Sequence, residues 1–306
     1  FKMGKLLLII FLFTNFNSFS YNRNFDFSDS TKQKVNKNFY KFLAIEGAVL
    51  TASISYLRFE WYSDKKRVPF HFYNDLNGWL QIDKFGHFYA SYIESSVGYK
   101  ILKKSNFSEK KSLFYGGFQG LILEAPIEFF DAYYDGWGFS VFDIIANTLG
   151  SSFFILQQKL FNEQWIKPKL TFSRSIYAEN AYGYLGKNNF LSEFVYDYNG
   201  YTYWFSFTPN KFLKSKFIPD WLAFAIGYGG DGMIGEFSNL KSYDGNIIPE
   251  YKRFRQFYFS LDVDFSKIKT NSKVLRKIFN SISYIKVPFP TLEISNNKIK
   301  GHFIHY

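Results

Sequence analysis

Three pairs of polar residues stand four positions apart: Asp83 with His87, Glu124 with Glu128, and Asp143 with Asn147, while Asp131 extends the second pair. That spacing puts each pair on one face of a helix. Carboxylates and an imidazole carried by packed helices can serve three kinds of chemistry. Oxygen and nitrogen ligands of this type suit a hard divalent metal, the one cofactor such a set implies. His87, oriented by Asp83 beside a glutamate in a dry interior, could instead move a proton. The third reading is structural: Asp83, Ser140 and Asp143 are helix-start residues, and Glu124, Glu128 and Asp131 pair with His87 and Lys84. Ion-pair networks imitate active sites well, and the structural reading is favoured. The Glu-x-x-His repeat of carboxylate-bridged di-iron bundles is missing.

No stronger catalytic pattern competes with this set. Gly116, Gly117 and Gly120 sit in an apolar helix and read as a close-packing surface, since no Gly-Lys-Ser follows. The run from Gly227 to Gly232 lacks the Lys and Ser/Thr of a phosphate loop and reads as a tight turn. His71, His302 and His305 are isolated and default to surface or aromatic-rim positions.

The elements that must position these residues change character at Pro168. Before it the pattern is helical: an apolar, small-residue-rich stretch from Phe39 to Phe59, a helix from Gln81 or Asp83 to Lys104, one from Lys110 to Tyr133 made irregular by Pro126, and one from the Ser140 cap to Phe161. Beyond it come strands at Leu170–Ile176, Leu191–Tyr198, Tyr201–Thr208, Leu222–Tyr228, Gln256–Phe265, Thr291–Ser295 and Ile299–Tyr306. Asn199-Gly200 predicts a hairpin turn joining Val195–Tyr198 to Tyr201–Trp204. Ser272–Ile285 predicts a basic amphipathic helix. The fold class is α+β, a four-helix module followed by an aromatic-rich antiparallel β region. The strands could close into a small barrel, but a sheet packed on helices or on a membrane face is the expectation.

Lys2 and Lys5, the apolar run Leu6–Phe13 and the small residues Ser18 and Ser20 make residues 1–20 a signal peptide. The organisation that follows is a mobile terminus at 21–38, a helical module at 39–167 and a β region at 168–306. The chain of 306 residues carries a formal charge of +11, which favours anionic surfaces. Its lysines are scattered and no nucleic-acid-binding motif is present, so nucleic acid is set aside in favour of a membrane lipid surface or envelope proteins. With Cys 0, disulfides and thiolate metal sites are excluded. An exported, membrane-associated envelope protein is the expectation, with a structural or interaction role. An envelope enzyme using a His/carboxylate site on a lipid or lipid-linked substrate is the alternative.

Asp83-Lys84-x-x-His87-Phe88, Glu128-x-x-Asp131, and Gly136-x-Gly138-Phe139-Ser140-x-x-Asp143 with Gly150 occur in that order. This arrangement resembles the YfiM-type predicted periplasmic lipoproteins, a family of unknown function, over about Asn74 to Phe161. Two features depart from the family: the absence of cysteine, so that a lipid anchor does not carry over, and Asn147 where an acid is expected. The Gly227–Met233 loop and the ending Phe303-Ile304-His305-Tyr306 look like the longer, Bacteroidetes-type members. The order Asp-Lys-x-x-His, acid, Ser-x-x-Asp-x-x-x-Asn is more distantly similar to VanZ-like membrane proteins. These likenesses imply an envelope location and no reaction. If the helices pack as an antiparallel bundle, His87 is expected to face the acids of the later helices.

Overall fold

A computed structural model describes residues 65–186 and 189–305, together with residues 39, 40, 43, 44, 47, 51, 55 and 62. The expected signal peptide at 1–20, the expected mobile terminus at 21–38 and most of the expected Phe39–Phe59 helix lie outside the described residues. The described chain is mixed helix and sheet, helices first and a six-stranded antiparallel sheet after them. It divides into two compact units, one holding residues 74–89 and 161–305, the other 65–73 and 90–160.

The sheet unit opens on a turn at Gly78–Gln81, where Trp79, Leu80 and Gln81 take positive φ. Trp79 is held there by its stack on Tyr198, with ring centroids 4.6 Å apart, and by its N–H donated to the Glu236 carbonyl. Helix α1, Ile82–Lys104, follows. Its first two turns lie in this unit, with Phe85 stacked on Tyr203 and Tyr228 and Phe88 edge-on to Phe205.

Strands β1 (Ile166–Phe172), β2 (Tyr201–Phe207), β3 (Leu222–Asp231), β6 (Phe254–Val263), β7 (Phe289–Ser295) and β8 (Lys298–His305) pair in the order β1-β2-β3-β6-β7-β8. A separate ribbon is formed by β4 (Ser242–Tyr243) and β5 (Asn246–Ile247). Among the described residues β8 pairs only with β7 and is an edge strand of the sheet. Lys169 on β1 reaches Asp262 on β6 at 2.7 Å although two strands lie between them. In a flat sheet those strands would stand about 14 Å apart. The sheet is therefore strongly curled, with Lys169 and Asp262 on its concave face.

Two expectations fail here. Leu191–Tyr198 is a helix over most of its length: α4, Phe190–Tyr196, is capped by Asn189, whose side chain accepts from Ser192 N–H at 2.9 Å. A strong cap with Glu193 in the first turn outweighs the aromatic and β-branched content that suggested a strand. Asn199-Gly200 consequently joins no hairpin. Asp197 accepts from the Asn199 backbone and side chain, and Asn199 in turn bonds both Met233 N–H and the Met233 carbonyl. The strands that pair with Tyr201–Phe207 are β1, in the register Leu170↔Tyr203, and β3, in the register Tyr203↔Tyr228. The amphipathic helix is present as α5, Lys273–Ile282, capped by Ser272.

In the helical unit, α1 continues to Lys104 and is followed by a turn of helix at Glu109–Lys111, capped by Ser108, and a wide turn at Ser112–Gly116. Helix α2, Gln119–Asp131, runs unbroken through Pro126. The irregularity expected there falls instead at Ser112–Gly116, beside the glycines that permit close packing. A Cβ on Gly120 would meet the Ser91 carbonyl, and one on Gly116 would meet the α1 backbone at Gly98 and Tyr99. Helix α3, Val141–Phe161, starts from the Ser140 cap as the sequence indicates. No helix among the described residues is long and apolar enough to cross a membrane.

Candidate functional site

Serine hydroxyls make the close approach of α1, α2 and α3 possible. Ser91 Oγ donates to the Asn147 carbonyl at 2.7 Å and lies 2.8 Å from Ser151 Oγ, which Ser95 also reaches at 3.0 Å. Ser95 and Ser151 accept from the backbone N–H groups of Gly120 and Leu121 near the start of α2, where intrahelical acceptors are lacking. Small side chains and shared hydroxyls thus replace the apolar interdigitation of an ordinary helical core.

The candidate acids occupy the same interior. Asp143 is fully buried, and its backbone N–H donates to Ser140 Oγ at 3.1 Å. The Ser140 N–H donates to Glu128 Oε2 at 3.3 Å. Glu128, from the helix before, therefore sits at the N-terminus of α3, where the helix dipole favours a negative charge. Tyr62 hydroxyl donates to Asp131. Glu124 is buried on α2, one turn before Glu128. The structure thus places the Glu128 carboxylate and the Ser140 hydroxyl on backbone N–H groups at the start of α3, and Asp131 against Tyr62. Glu94 is also buried on α1 and was not singled out from the sequence. Its position seven residues beyond His87 was the available signal.

Asp83 and His87 lie in the sheet unit, on one face of α1, and both are buried. Asp83 accepts from the Tyr198 hydroxyl at 3.2 Å and from Lys84 at 2.8 Å, and Lys84 also bridges to Asp75 at 2.9 Å. His71, isolated in sequence, has its Nε2 against the Trp137 carbonyl.

The concave face of the sheet holds a second polar set that sequence reading passed over. Lys169 and Asp262 are both fully buried, and Lys167 bonds Asp264 at 2.6 Å and Ser266 at 2.5 Å. Burial alone would raise the Asp264 carboxyl, but Lys167 and Ser266 hold it below the usual carboxylate range. Lys286 lies over the Trp204 ring at 4.5 Å, and burial pushes its ammonium down to about 8. His302 meets Glu293 at 2.6 Å, and His305 packs on Tyr258 with centroids 4.4 Å apart. Burial lowers His305 to about 4, so it is neutral at physiological pH. The signal was Lys167-x-Lys169 on β1 and Asp262-x-Asp264 at the end of β6, where alternate positions carry opposite charge.

Residues 72–159 match the family model described as Predicted periplasmic lipoprotein (DUF2279). That span contains all six candidate residues, Asp83, His87, Glu124, Glu128, Asp131 and Asp143, and ends before β1. Its description supports an exported envelope location. Neither a curated protein nor a solved structure matches the chain.

Proposed function

We propose that this chain is an exported, membrane-associated protein of the cell envelope with a structural or interaction role, and that its buried acids and His87 hold helices in place without performing a reaction. The observation that carries this reading is the placing of the Glu128 carboxylate and the Ser140 hydroxyl on backbone N–H groups at the start of α3. It occupies a carboxylate with a helix start, a task that stabilises architecture. The near-complete burial of Asp83, His87, Glu124, Glu128, Asp131 and Asp143 supports the same reading, because a catalytic set needs access for its substrate. The membrane part rests on how α3 is placed. Val141, Ile145, Leu149, Leu156 and Leu160 are exposed while Asp143, Asn147 and Ser151 are buried, the reverse of a helix packed for water. Membrane lipid or envelope proteins are the partners such a surface fits. We extend the likeness to the longer members of the lipoprotein-like family, so that sheet and helices form one protein type.

Glu128→Gln separates structure from chemistry, since the amide keeps shape and can still accept from Ser140 N–H. With the variant folded, full complementation of a strain lacking the chain supports the structural role. Lost complementation with the fold retained overturns it in favour of a reaction at the carboxylate, on a lipid or lipid-linked substrate.

A further inference from the structure

Away from the part of the sheet that α1 covers through Phe85 and Phe88, the alternation is inverted. On β6, Tyr258, Ser260 and Asp262 are buried, whereas Phe257, Phe259 and Leu261 are 48%, 50% and 39% exposed. On β7, Thr291, Glu293 and Ser295 are buried while Leu292 and Ile294 are exposed. An antiparallel sheet with one wet face ordinarily turns its apolar residues to the core. Here the concave face encloses ion pairs, and the convex face carries the hydrocarbon.

The registers make this apolar surface continuous. Ile226, Phe259 and Leu292 form one cross-strand row, and Phe257, Ile294 and Ile299 another. Together they span four strands, far beyond the scattered apolar residues normal on a water-facing surface. We propose that this convex face is a lipid-contact surface, seated one-sidedly in the acyl region of a bilayer with anionic headgroups. The proposal rests on the membrane association argued above and names the surface responsible.

Charge selects lipid over other occupants. The chain is +11 overall, and α5 exposes Val274, Leu275 and Ile278 beside Lys273, Arg276 and Lys277. Exposed apolar and basic residues on one short helix suit the headgroup boundary of an anionic membrane. A one-sided seat follows from the open edge. Backbone groups on the outer side of β8 have no strand partner among the described residues, and such an edge is not tolerated in hydrocarbon. The edge and the polar concave face therefore stay at headgroup level or in water.

Because the chain has no cysteine, single labels are easily placed. Full-length Phe259→Cys, Leu292→Cys and, as a control on the β4–β5 ribbon, Ser242→Cys are each labelled with a nitroxide and mixed with vesicles of phosphatidylethanolamine and phosphatidylglycerol. On binding, the labels at 259 and 292 become accessible to oxygen and shielded from a water-soluble nickel chelate, and the label at 242 does not. Phe259→Asp with Leu292→Asp, its fold checked by circular dichroism, weakens vesicle binding at least about tenfold. Binding with both labels still open to the chelate overturns this inference and leaves membrane association standing. Absence of vesicle binding overturns both. Shielding that grows with protein concentration without vesicles assigns the face to a second copy and overturns the lipid proposal. Equal binding to phosphatidylcholine vesicles overturns its anionic part.

Discussion

Lys169 and Asp262 face each other with no exposure at all, so neither can lose its partner without leaving a charge in a dry interior. Lys169→Met is expected to cost about 3–5 kcal/mol by chemical denaturation. Lys169→Met with Asp262→Leu is expected to recover most of that loss. Asp264 adds an acid dependence. Lys167 and Ser266 hold its folded carboxyl below the ordinary value, so the stabilisation is present above the unfolded value of about 4 and is lost as pH falls through the folded one. Denaturation midpoints measured on either side of that range should drop on acidification, and Asp264→Asn should reduce the drop. In the helical unit, Glu128→Ala leaves the buried Ser140 N–H without its acceptor, at about 1–3 kcal/mol by the same measurement. At this scale the sequence showed which residues share a helix face, because a spacing of four is enough for that. It hid the partner of Glu128, since that partner is a backbone N–H and side-chain identity does not mark it.

The elements were legible wherever local signals agreed with packing. Helix α1 begins and ends where the acidic first turn and the terminal lysines indicate, and α3 begins at its serine cap. The glycines in and before α2 act as a close-packing surface, and Gly120→Ala should therefore cost about 1–3 kcal/mol in thermal or chemical melts by pushing α2 off the Ser91 carbonyl. Misreading came where a local signal was claimed by a distant partner. Asn199 makes its bonds to Met233, and Gly200 lies so close to Phe172 and the Ser173 carbonyl that its lack of a side chain serves packing and no hairpin turn. The inverted sheet could not be recovered from period alone. Alternation in Phe257–Asp262 separates two faces without saying which one is inside, and the ion pairs that decide it join strands far apart in sequence.

Both units bury polar groups and expose apolar ones, and this shared feature supports a surface met by lipid or by envelope partners. The match over residues 72–159 supports the same compartment from an independent direction, through the segment that carries the six acidic and imidazole side chains. In the proposed attachment the hydrocarbon surface is supplied by a helix stripe and a sheet face. Attachment of that kind depends on buried apolar area and should survive high salt while yielding to detergent. The most direct measurement is flotation of the protein from a lysate of its native cells through a density gradient at high ionic strength. The account predicts that it rises with the envelope membranes and remains at the bottom only after detergent is added; recovery with the soluble proteins, without detergent, would contradict it.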